Sequence, residues 1–313
     1  MKSGTAVYVA GHRGLAGSAI LRALCGRGHE RLITRSSAEL DLRKQAAVER
    51  FFAAERPEYV FLAAAKVGGI LANDSFPADF IRDNLQIQTN VIDAAYRHGV
   101  TKLCFLGSSC IYPRLAPQPI EEKSLLTGPL ESTNEWYAVA KIAGIRMCQA
   151  YRRQYGFNAI SVMPTNLYGP GDNFDLQSSH VLPALIRKFD EAKREGADSV
   201  TVWGSGTPRR EFLYVDDLAD ACCFLMDRYD SPDIINVGVG EDLTIAELAE
   251  LVRRTVGFEG AIELDRSKPD GTPRKLLDVS RLHALGWKAQ TELADGLRRT
   301  YDWYVEHRDT VAA

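Results

Sequence analysis

A glycine-rich turn near the start of the chain constrains the fold most. Its residues are Gly11, His12, Arg13, Gly14, Leu15, Ala16 and Gly17, with glycine at every third position. The apolar segment Thr5–Ala10 before it predicts a buried strand, and the segment after it, to about Arg27, predicts a helix. Such a turn lets the backbone approach a pyrophosphate, whose charge is stabilised at the helix N-terminus. The pattern predicts dinucleotide binding, with an ordinary strand–helix turn as the alternative.

Alternating strands and helices continue through the first half of the chain. Four more apolar runs predict strands at Arg31–Thr34, Tyr59–Ala64, Lys102–Gly107 and Ala159–Met163. Amphipathic segments between them predict helices at Lys44–Glu55, Pro77–His98 and Glu135–Tyr155. Continuous apolar strands separated by helices are typical of a parallel sheet covered on both faces. We therefore expect an α/β chain with a doubly wound, Rossmann-type sheet.

The second half of the chain is less regular. Thr165–Asp175 is rich in Gly, Pro and Asn and predicts a loop. Further helices are expected at Val181–Glu195, Val215–Asp227, Ile245–Arg254 and Leu293–His307, with strands at Val200–Trp203 and Ile234–Val237. We expect residues 1–165 to form the cofactor-binding domain, joined by about 212–239. Residues 166–313, mainly 166–211 and 240–313, would then form a smaller, discontinuous α/β substrate domain.

Composition and charge exclude several classes of protein. The 313 residues carry a net charge of only −3, which argues against nucleic acid or an anionic membrane as a partner. No apolar run reaches the roughly 18 residues of a membrane span, and Met1–Val9 lacks a signal-peptide layout. The six cysteines form no C-x-x-C pair and have no histidine at metal-ligand spacing. We expect a cytoplasmic protein with reduced thiols and no metal.

The end of the second predicted strand bears on which nicotinamide cofactor binds. An acidic residue about 20 positions beyond the glycine turn would bind the ribose 2′-hydroxyl of NAD. This zone reads Thr34-Arg35-Ser36-Ser37, and its first acid is Glu39. Arg35, together with Arg13, suits the dianionic 2′-phosphate of NADP. We therefore expect NADP(H), with two solvated arginines as the alternative.

A tyrosine and a lysine on the helix after the fourth strand predict hydride-transfer chemistry. Tyr137 and Lys141 are four residues apart and share one helix face, and Ser108 follows the fourth strand. We expect the Lys141 ammonium to lower the pKa of Tyr137 from about 10. Tyr137 could then protonate the oxyanion formed when hydride reaches a carbonyl, with Ser108 donating to the same oxygen. A surface Tyr–Lys pair is the alternative.

Longer motifs narrow the choice of family. Ala63–Ile70 reads AAAKVGGI, Gly107–Pro113 reads GSSCIYP, and Asn166–Pro170 reads NLYGP. Ser179-His180-Val181 and the runs Val202–Phe212 and Asp270–Lys275 follow. Over nearly its whole length the chain resembles the GDP-L-fucose synthase family of the extended short-chain dehydrogenase/reductase superfamily.

The resemblance implies a role for particular residues. The reducing set falls on Ser108, Tyr137 and Lys141, and the epimerising acid–base pair on Cys110 and His180. Cofactor contacts fall on the glycine turn, Arg35, Leu106, Gly107, Tyr137, Lys141, Pro164, Asn166, Leu167 and His180. Contacts to a GDP-linked 4-keto-6-deoxy sugar fall on Lys188, Trp203, Arg210 and Asp278. Two positions depart from the family pattern: Lys188 replaces an arginine, and Trp136 is unusually bulky.

The implied reaction is epimerisation at sugar carbons 3 and 5 followed by reduction at carbon 4. Cys110 and His180 would exchange the two protons, and the sequence leaves open which of them is the base. The rivals are a 4,6-dehydratase, a simple 4-epimerase, a relative acting on a dideoxy or heptose sugar, and a redox-sensing protein without catalysis. By analogy with the superfamily, Pro77–His98 and Glu135–Tyr155 could form a homodimer interface.

Overall fold

Six parallel strands form the central sheet of the computed structural model, which describes residues 1–268 and 270–311. The strands of the chain are β1 Val7–Ala10, β2 Leu32–Ile33, β3 Tyr59–Leu62, β4 Lys102–Leu106, β5 Ala159–Pro164, β6 Asn166–Tyr168, β7 Ser199–Trp203, β8 Arg209–Arg210, β9 Phe212–Tyr214, β10 Ile235–Val237, β11 Leu243–Thr244, β12 Ala261–Asp265 and β13 Arg274–Lys275. The helices are α1 Leu15–Gly26, α2 Gln45–Glu55, α3 Ile70–Ser75, α4 Pro77–Arg97, α5 Glu135–Tyr155, α6 Val181–Glu195, α7 Val215–Arg228, α8 Ile245–Val256, α9 Ser280–Ala284 and α10 Leu293–Val311.

The central sheet has the order β2-β1-β3-β4-β5-β10, and every pairing in it is parallel. β10 pairs with β5, so the predicted strand at Ile234–Val237 does rejoin the first sheet. Apolar side chains of α2, α4 and α5 pack on one face, and those of α1 and α7 pack on the other. This arrangement confirms the predicted doubly wound, Rossmann-type sheet.

A third apolar cluster lies outside the central sheet. It joins α6, α8 and α10 to β7 and β9, with Phe189, Leu248 and Tyr304 fully buried in it. β7 and β12 run parallel, and β8 pairs with both β11 and β13. These short strands bring segments distant in sequence to the edge of the site.

Two parts of the second half differ from the sequence-based expectation. The prediction of a loop over Thr165–Asp175 is wrong for its first part, because β6 lies there and pairs with β9. The sequence pattern also missed β12, which has no fully buried residue, and the short helix α3. These elements owe their conformation to partners far along the chain, which local periodicity does not report.

Candidate active site

The site lies at the carboxyl edge of the central sheet, where the strand order reverses between β1 and β3. Gly11 ends β1 with a φ of +84°, and a Cβ on it would lie 2.7 Å from the Cα of Ala64, just after β3. A Cβ on Gly17 would overlap the carbonyl oxygen of Gly11. Glycine is therefore required at both positions, which bring the turn close to the sheet. The crevice at such a reversal is where nucleotides bind in this class of fold.

The glycine turn has the properties of a pyrophosphate cradle. Gly14 is the N-cap of α1, and the first turn of α1 contains no acidic residue. The first amides of a helix have no partner within the helix, so they can donate to an anion. The Nδ1 atom of His12 is buried and has no hydrogen-bond partner. Burial beside Arg13 also lowers the pKa of His12, so the ring is neutral and adds no competing charge. These residues fit a dinucleotide.

Arg35 follows shortly after β2, and its guanidinium is partly engaged. It donates to the carbonyl of Thr34 at 2.7 Å, forms an ion pair with Glu55, and packs over the ring of Phe51 at 5.7 Å. The carboxylate of Glu39 accepts hydrogen bonds from the amide and hydroxyl of Ser36, both at 2.7 Å. Glu39 is thus occupied within its own turn, while Arg35 is held in place with donors remaining.

Ser108, Tyr137 and Lys141 converge at the end of β4. The Lys141 ammonium is buried and donates to the carbonyl of Leu106 at 2.8 Å. It lies 5.8 Å from the centre of the Tyr137 ring and 4.9 Å from that of Phe105. The Ser108 hydroxyl caps the short 3₁₀ turn Ser109–Ile111 by accepting the amide of Cys110 at 3.2 Å.

The expected lowering of the Tyr137 pKa by Lys141 is wrong for this structure. Burial raises the pKa of Tyr137, and the nearby Cys110 raises it further, whereas the Ser108 hydroxyl only partly opposes this. Burial also lowers the pKa of Lys141 to about 8. Desolvation dominates because the ammonium lies beside the ring and directs a hydrogen bond to the Leu106 carbonyl. Tyr137 is therefore a phenol at neutral pH, the form that donates a proton.

The thiol of Cys110 receives two hydrogen-bond donors. The side-chain amide of Asn134 lies 3.4 Å from Sγ, and the ammonium of Lys275 lies 3.5 Å from it. Burial raises the pKa of Cys110, but Lys275, Ser108 and Arg210 together outweigh burial and lower it overall. A thiol whose pKa is lowered in this way is suited to act as a nucleophile or base.

His180 is the N-cap residue of α6 and is exposed. The protein around it and the charge of Lys275 lower its pKa. Its position is fixed by the preceding residues, since the amide of Gly69 donates to the carbonyl of Ser178 at 2.7 Å. The charge of Lys275 therefore favours a lower pKa at both Cys110 and His180.

Three of the predicted substrate residues lie on elements around the cleft. The Lys188 ammonium lies 5.1 Å from the centre of the Trp203 ring, and half of Trp203 is exposed, with a relative accessibility of 51%. Burial lowers the pKa of Lys188 and also that of Arg210. Asp270 interacts with residues near both Trp203 and Arg210. Its carboxylate accepts the amide of Ser205, and its charge opposes the lowering of the Arg210 pKa by burial.

Asp278 is bonded differently from the other predicted substrate residues. Its carboxylate accepts the amide of Ser280 at 2.9 Å at the start of α9, and its carbonyl accepts from Asn236. Within residues 1–268 and 270–311, no hydrogen bond joins its carboxylate to Lys188, Trp203 or Arg210.

Sequence reasoning missed Asn134, Lys275 and Glu211. Asn134 precedes α5, and from the sequence its side chain would be interpreted as an ordinary helix cap. Lys275 was part of a recognised motif, but only its pairing in β13 opposite Arg210 brings it to the thiol. Glu211 is fully buried between β8 and β9, and its charge makes burial unexpected from sequence. The one hint in the sequence is that Glu211 stands where a polar segment ending in Arg210 gives way to an apolar segment beginning with Phe212.

Neither a metal site nor a membrane span is found in the part of the chain that the structure describes. No three His, Cys, Asp or Glu side chains there converge as a metal site requires. None of the helices within 1–268 and 270–311 combines the length and apolarity needed to cross a lipid bilayer.

Comparisons with known proteins agree with this geometry. The NAD dependent epimerase/dehydratase family matches residues 7–238. GDP-L-fucose synthase 1 of Arabidopsis thaliana is 64% identical over 301 residues, 96% of this chain and 93% of that protein. The structure of a GDP-L-fucose synthetase from Naegleria fowleri bound to NADP has a TM-score of 0.93 at 30% identity, covering 100% of this chain and 98% of that one. That of a GDP-6-OMe-4-keto-L-xylo-heptose reductase from C. jejuni has a TM-score of 0.94 at 40% identity, covering 98% and 99%. The chain therefore belongs to the NAD-dependent epimerase/dehydratase family and, within it, to the GDP-L-fucose synthases.

Proposed function

We propose that this chain converts GDP-4-keto-6-deoxy-D-mannose to GDP-L-fucose by epimerisation at carbons 3 and 5 followed by reduction at carbon 4. The observation that carries the proposal is the adjacency of two acid–base sets. Ser108 lies beside both the phenol of Tyr137 and the thiol of Cys110. A simple 4-epimerase needs only the first set. A substrate whose ketone is held at Ser108 would present its neighbouring carbons to the second.

In the reduction, the chain's residues supply a proton and hold an oxyanion. NADPH, when bound, supplies the hydride for carbon 4. Tyr137, kept as a phenol by burial, donates its proton to the oxygen on that carbon. Ser108 donates a hydrogen bond to the same oxygen. Lys141, fixed on the Leu106 carbonyl, is placed to orient the reacting groups and to stabilise the charge left on Tyr137.

In the epimerisation, the ketone makes the protons on carbons 3 and 5 removable. Loss of such a proton leaves the electron pair in an enolate whose oxygen lies at Ser108 and Tyr137. One of Cys110 and His180 removes the proton from one face of the sugar, and the other returns a proton to the opposite face. The configuration of that carbon is thereby inverted. The Lys275 ammonium lies 3.5 Å from the Cys110 sulfur, and its charge also lowers the pKa of His180.

The preferred cofactor under this proposal is NADP(H). Arg13 and Arg35 flank the place of the adenosine ribose, and the Glu39 carboxylate is occupied by Ser36. Binding of NADP by the Naegleria fowleri relative is consistent with this choice.

We also propose that residues 1–165 with about 212–239 form a cofactor domain and that the rest of the chain forms a substrate domain. We further propose that the protein is a cytoplasmic homodimer formed through α4 and α5.

A 4-keto heptose is the rival substrate, because heptose reductases share the fold. The structure of one such reductase matches at 40% identity, against 64% for the Arabidopsis thaliana fucose synthase. Identity over nearly the whole chain thus favours the 6-deoxy sugar. The test is NADPH oxidation with GDP-4-keto-6-deoxy-D-mannose and, in parallel, with a GDP-4-keto heptose. We expect kcat/KM to be at least about tenfold higher with the deoxy sugar, a difference of about 1.4 kcal/mol. A preference for the heptose would contradict the proposal.

A further inference from the structure

The sulfur of Cys110 sits in a socket made by two residues that the proposed reaction does not otherwise use. Asn134 immediately precedes α5 and directs its Nδ2 to Sγ at 3.4 Å. Lys275 belongs to β13 and directs its Nζ to Sγ at 3.5 Å. Two N–H donors therefore lie within hydrogen-bonding distance of the sulfur, and the Ser108 hydroxyl also contacts it. Such surroundings stabilise a thiolate more than a thiol.

The bonding of Asn134 indicates that its contact with sulfur is not incidental. Its Oδ1 atom is buried and has no hydrogen-bond partner. A buried, unsatisfied acceptor carries a cost, so packing alone does not explain an asparagine here. The only hydrogen bond of its side chain within the described residues is the one to Cys110. The same helix start carries Tyr137 one turn later, so one element positions both reacting groups.

The charge of Lys275 is also available to the sulfur. Within residues 1–268 and 270–311, no carboxylate lies within 4.0 Å of its ammonium, whereas Arg274 next to it pairs with Asp242. The titratable and charged groups around Cys110 are Tyr137 from α5, Arg210 from β8 and Lys275 from β13, with His180 at the start of α6 under the charge of the same lysine. Arg114, Glu131 and Arg274 line the cavity that Cys110 also lines. The one carboxylate among them, Glu131, is paired with Arg114 at 3.2 Å. The net field at the sulfur is therefore positive.

We infer that Asn134 and Lys275 are positioning residues that hold Cys110 as a thiolate before substrate binds. The inference rests on the proposed function for its chemical use. The thiolate forms an S–H bond with the proton of a carbon next to the ketone, that C–H bond breaks, and its electron pair moves into the enolate held by Ser108. No oxidant or reductant is involved. The direction of the Cys110 pKa agrees, since burial alone would raise it.

Alkylation of the free enzyme tests this inference without sugar or cofactor. Intact protein is treated with iodoacetamide across a pH series, and modification of the Cys110 peptide is followed by mass spectrometry. Cys25 is exposed and serves as an internal reference, whereas the other four cysteines are buried. We expect half-maximal reactivity of Cys110 below the pH of about 8.5 typical of a free thiol. Lys275→Met should move the midpoint up by at least about one pH unit, a tenfold loss of thiolate.

Further variants separate charge from packing. Lys275→Arg keeps the charge and should restore most of the shift. Asn134→Asp keeps the shape but adds a negative charge, so it should raise the midpoint, and Asn134→Leu should raise it less. Lys123→Met, which removes an exposed lysine paired with Glu121, should leave the profile unchanged. Profiles of Lys275→Met and Asn134→Asp that overlay the parent would overturn the inference, as would an equal shift in Lys275→Arg and Lys275→Met.

The outcome is distinguishable from failure of the proposed function. The variants could shift the alkylation midpoint in a protein that does not oxidise NADPH with GDP-4-keto-6-deoxy-D-mannose. That result would refute the proposed reaction but support the positioning role of Asn134 and Lys275. Unshifted alkylation in a protein that turns over this sugar would refute the socket alone. If the enzyme turns over this sugar, the rate of deuterium exchange into the keto sugar can also be followed across the pH series. In Lys275→Met the midpoint of that pH profile should move up by the same amount as the midpoint of alkylation.

Discussion

Glu211 connects the substrate side of the cleft to the central sheet, and its replacement by glutamine should destabilise both. Its Oε1 accepts the amides of Val239 at 2.6 Å and Gly240 at 2.8 Å, and its Oε2 accepts that of Leu277 at 3.0 Å. The side chain is fully buried. Arg210 is the adjacent residue, so the loss of hydrogen bonds at Glu211 should also displace Arg210 and raise the substrate KM. We expect Glu211→Gln to fold, with lower stability and weaker sugar binding.

The bonding at Glu211 gives the size of the effect. Glutamine turns one acceptor oxygen into an amide donor, so at least one buried N–H loses its acceptor, at about 1–3 kcal/mol. The remaining bonds lose charge assistance worth roughly 1 kcal/mol. Burial raises the pKa of Glu211, so the neutral amide recovers part of the desolvation cost. The expected net loss of unfolding free energy is about 2 kcal/mol.

Urea unfolding at neutral pH measures this loss. The midpoint should fall without a change in the slope, which reports the surface exposed on unfolding. Glu241→Gln is the matched control, because Glu241 is exposed and follows directly after Gly240, whose amide Glu211 accepts. It should stay within about 0.5 kcal/mol of the parent. A loss below that value in Glu211→Gln would refute the reasoning, since three buried amides would then not depend on the carboxylate.

The remaining predictions concern the cofactor, the reduction and the nucleotide. Arg35→Asp should reduce the preference for NADPH over NADH by about tenfold or more, because one charge-assisted hydrogen bond contributes roughly 1.5–3 kcal/mol. Replacement of the exposed Arg50 by aspartate should leave the preference unchanged. Equal kcat/KM with both cofactors in the parent enzyme would show that Arg35 does not select NADPH. Tyr137→Phe should abolish NADPH oxidation at unchanged Tm, and Ser108→Ala should slow it by roughly a hundredfold; near-normal oxidation in the Phe variant would remove Tyr137 from the reaction. In calorimetry on the Tyr137→Phe protein, added Arg210→Ala should weaken GDP binding by about tenfold, and equal affinity would show that Arg210 does not contact the diphosphate.

The central sheet and the convergence of Ser108, Tyr137 and Lys141 could be predicted from sequence because their signals are local. The glycine turn, the apolar strands and the four-residue spacing of Tyr137 and Lys141 each lie within one short segment. The strand β10 was also predicted, since a buried apolar run predicts a strand wherever its neighbour lies. Local pattern and tertiary structure agree in these parts of the chain.

The remaining features depend on contacts between distant segments. β6 was missed because its partner β9 lies beyond α6 and β7, and Lys275 reaches Cys110 only through the pairing of β13 with β8. The pKa of Tyr137 depends on burial, which outweighs the charge of Lys141. A sequence records the residues that can interact but not the desolvation that decides between their effects.

Product analysis in deuterated water tests the central claim most directly. The parent enzyme is given GDP-4-keto-6-deoxy-D-mannose and NADPH, and the sugar product is examined by NMR spectroscopy. We expect GDP-L-fucose with deuterium at carbons 3 and 5, protium from the cofactor at carbon 4, and one NADPH consumed for each product molecule. A reduced sugar that keeps protium and the original configuration at both carbons would contradict the account, as would turnover without net consumption of NADPH.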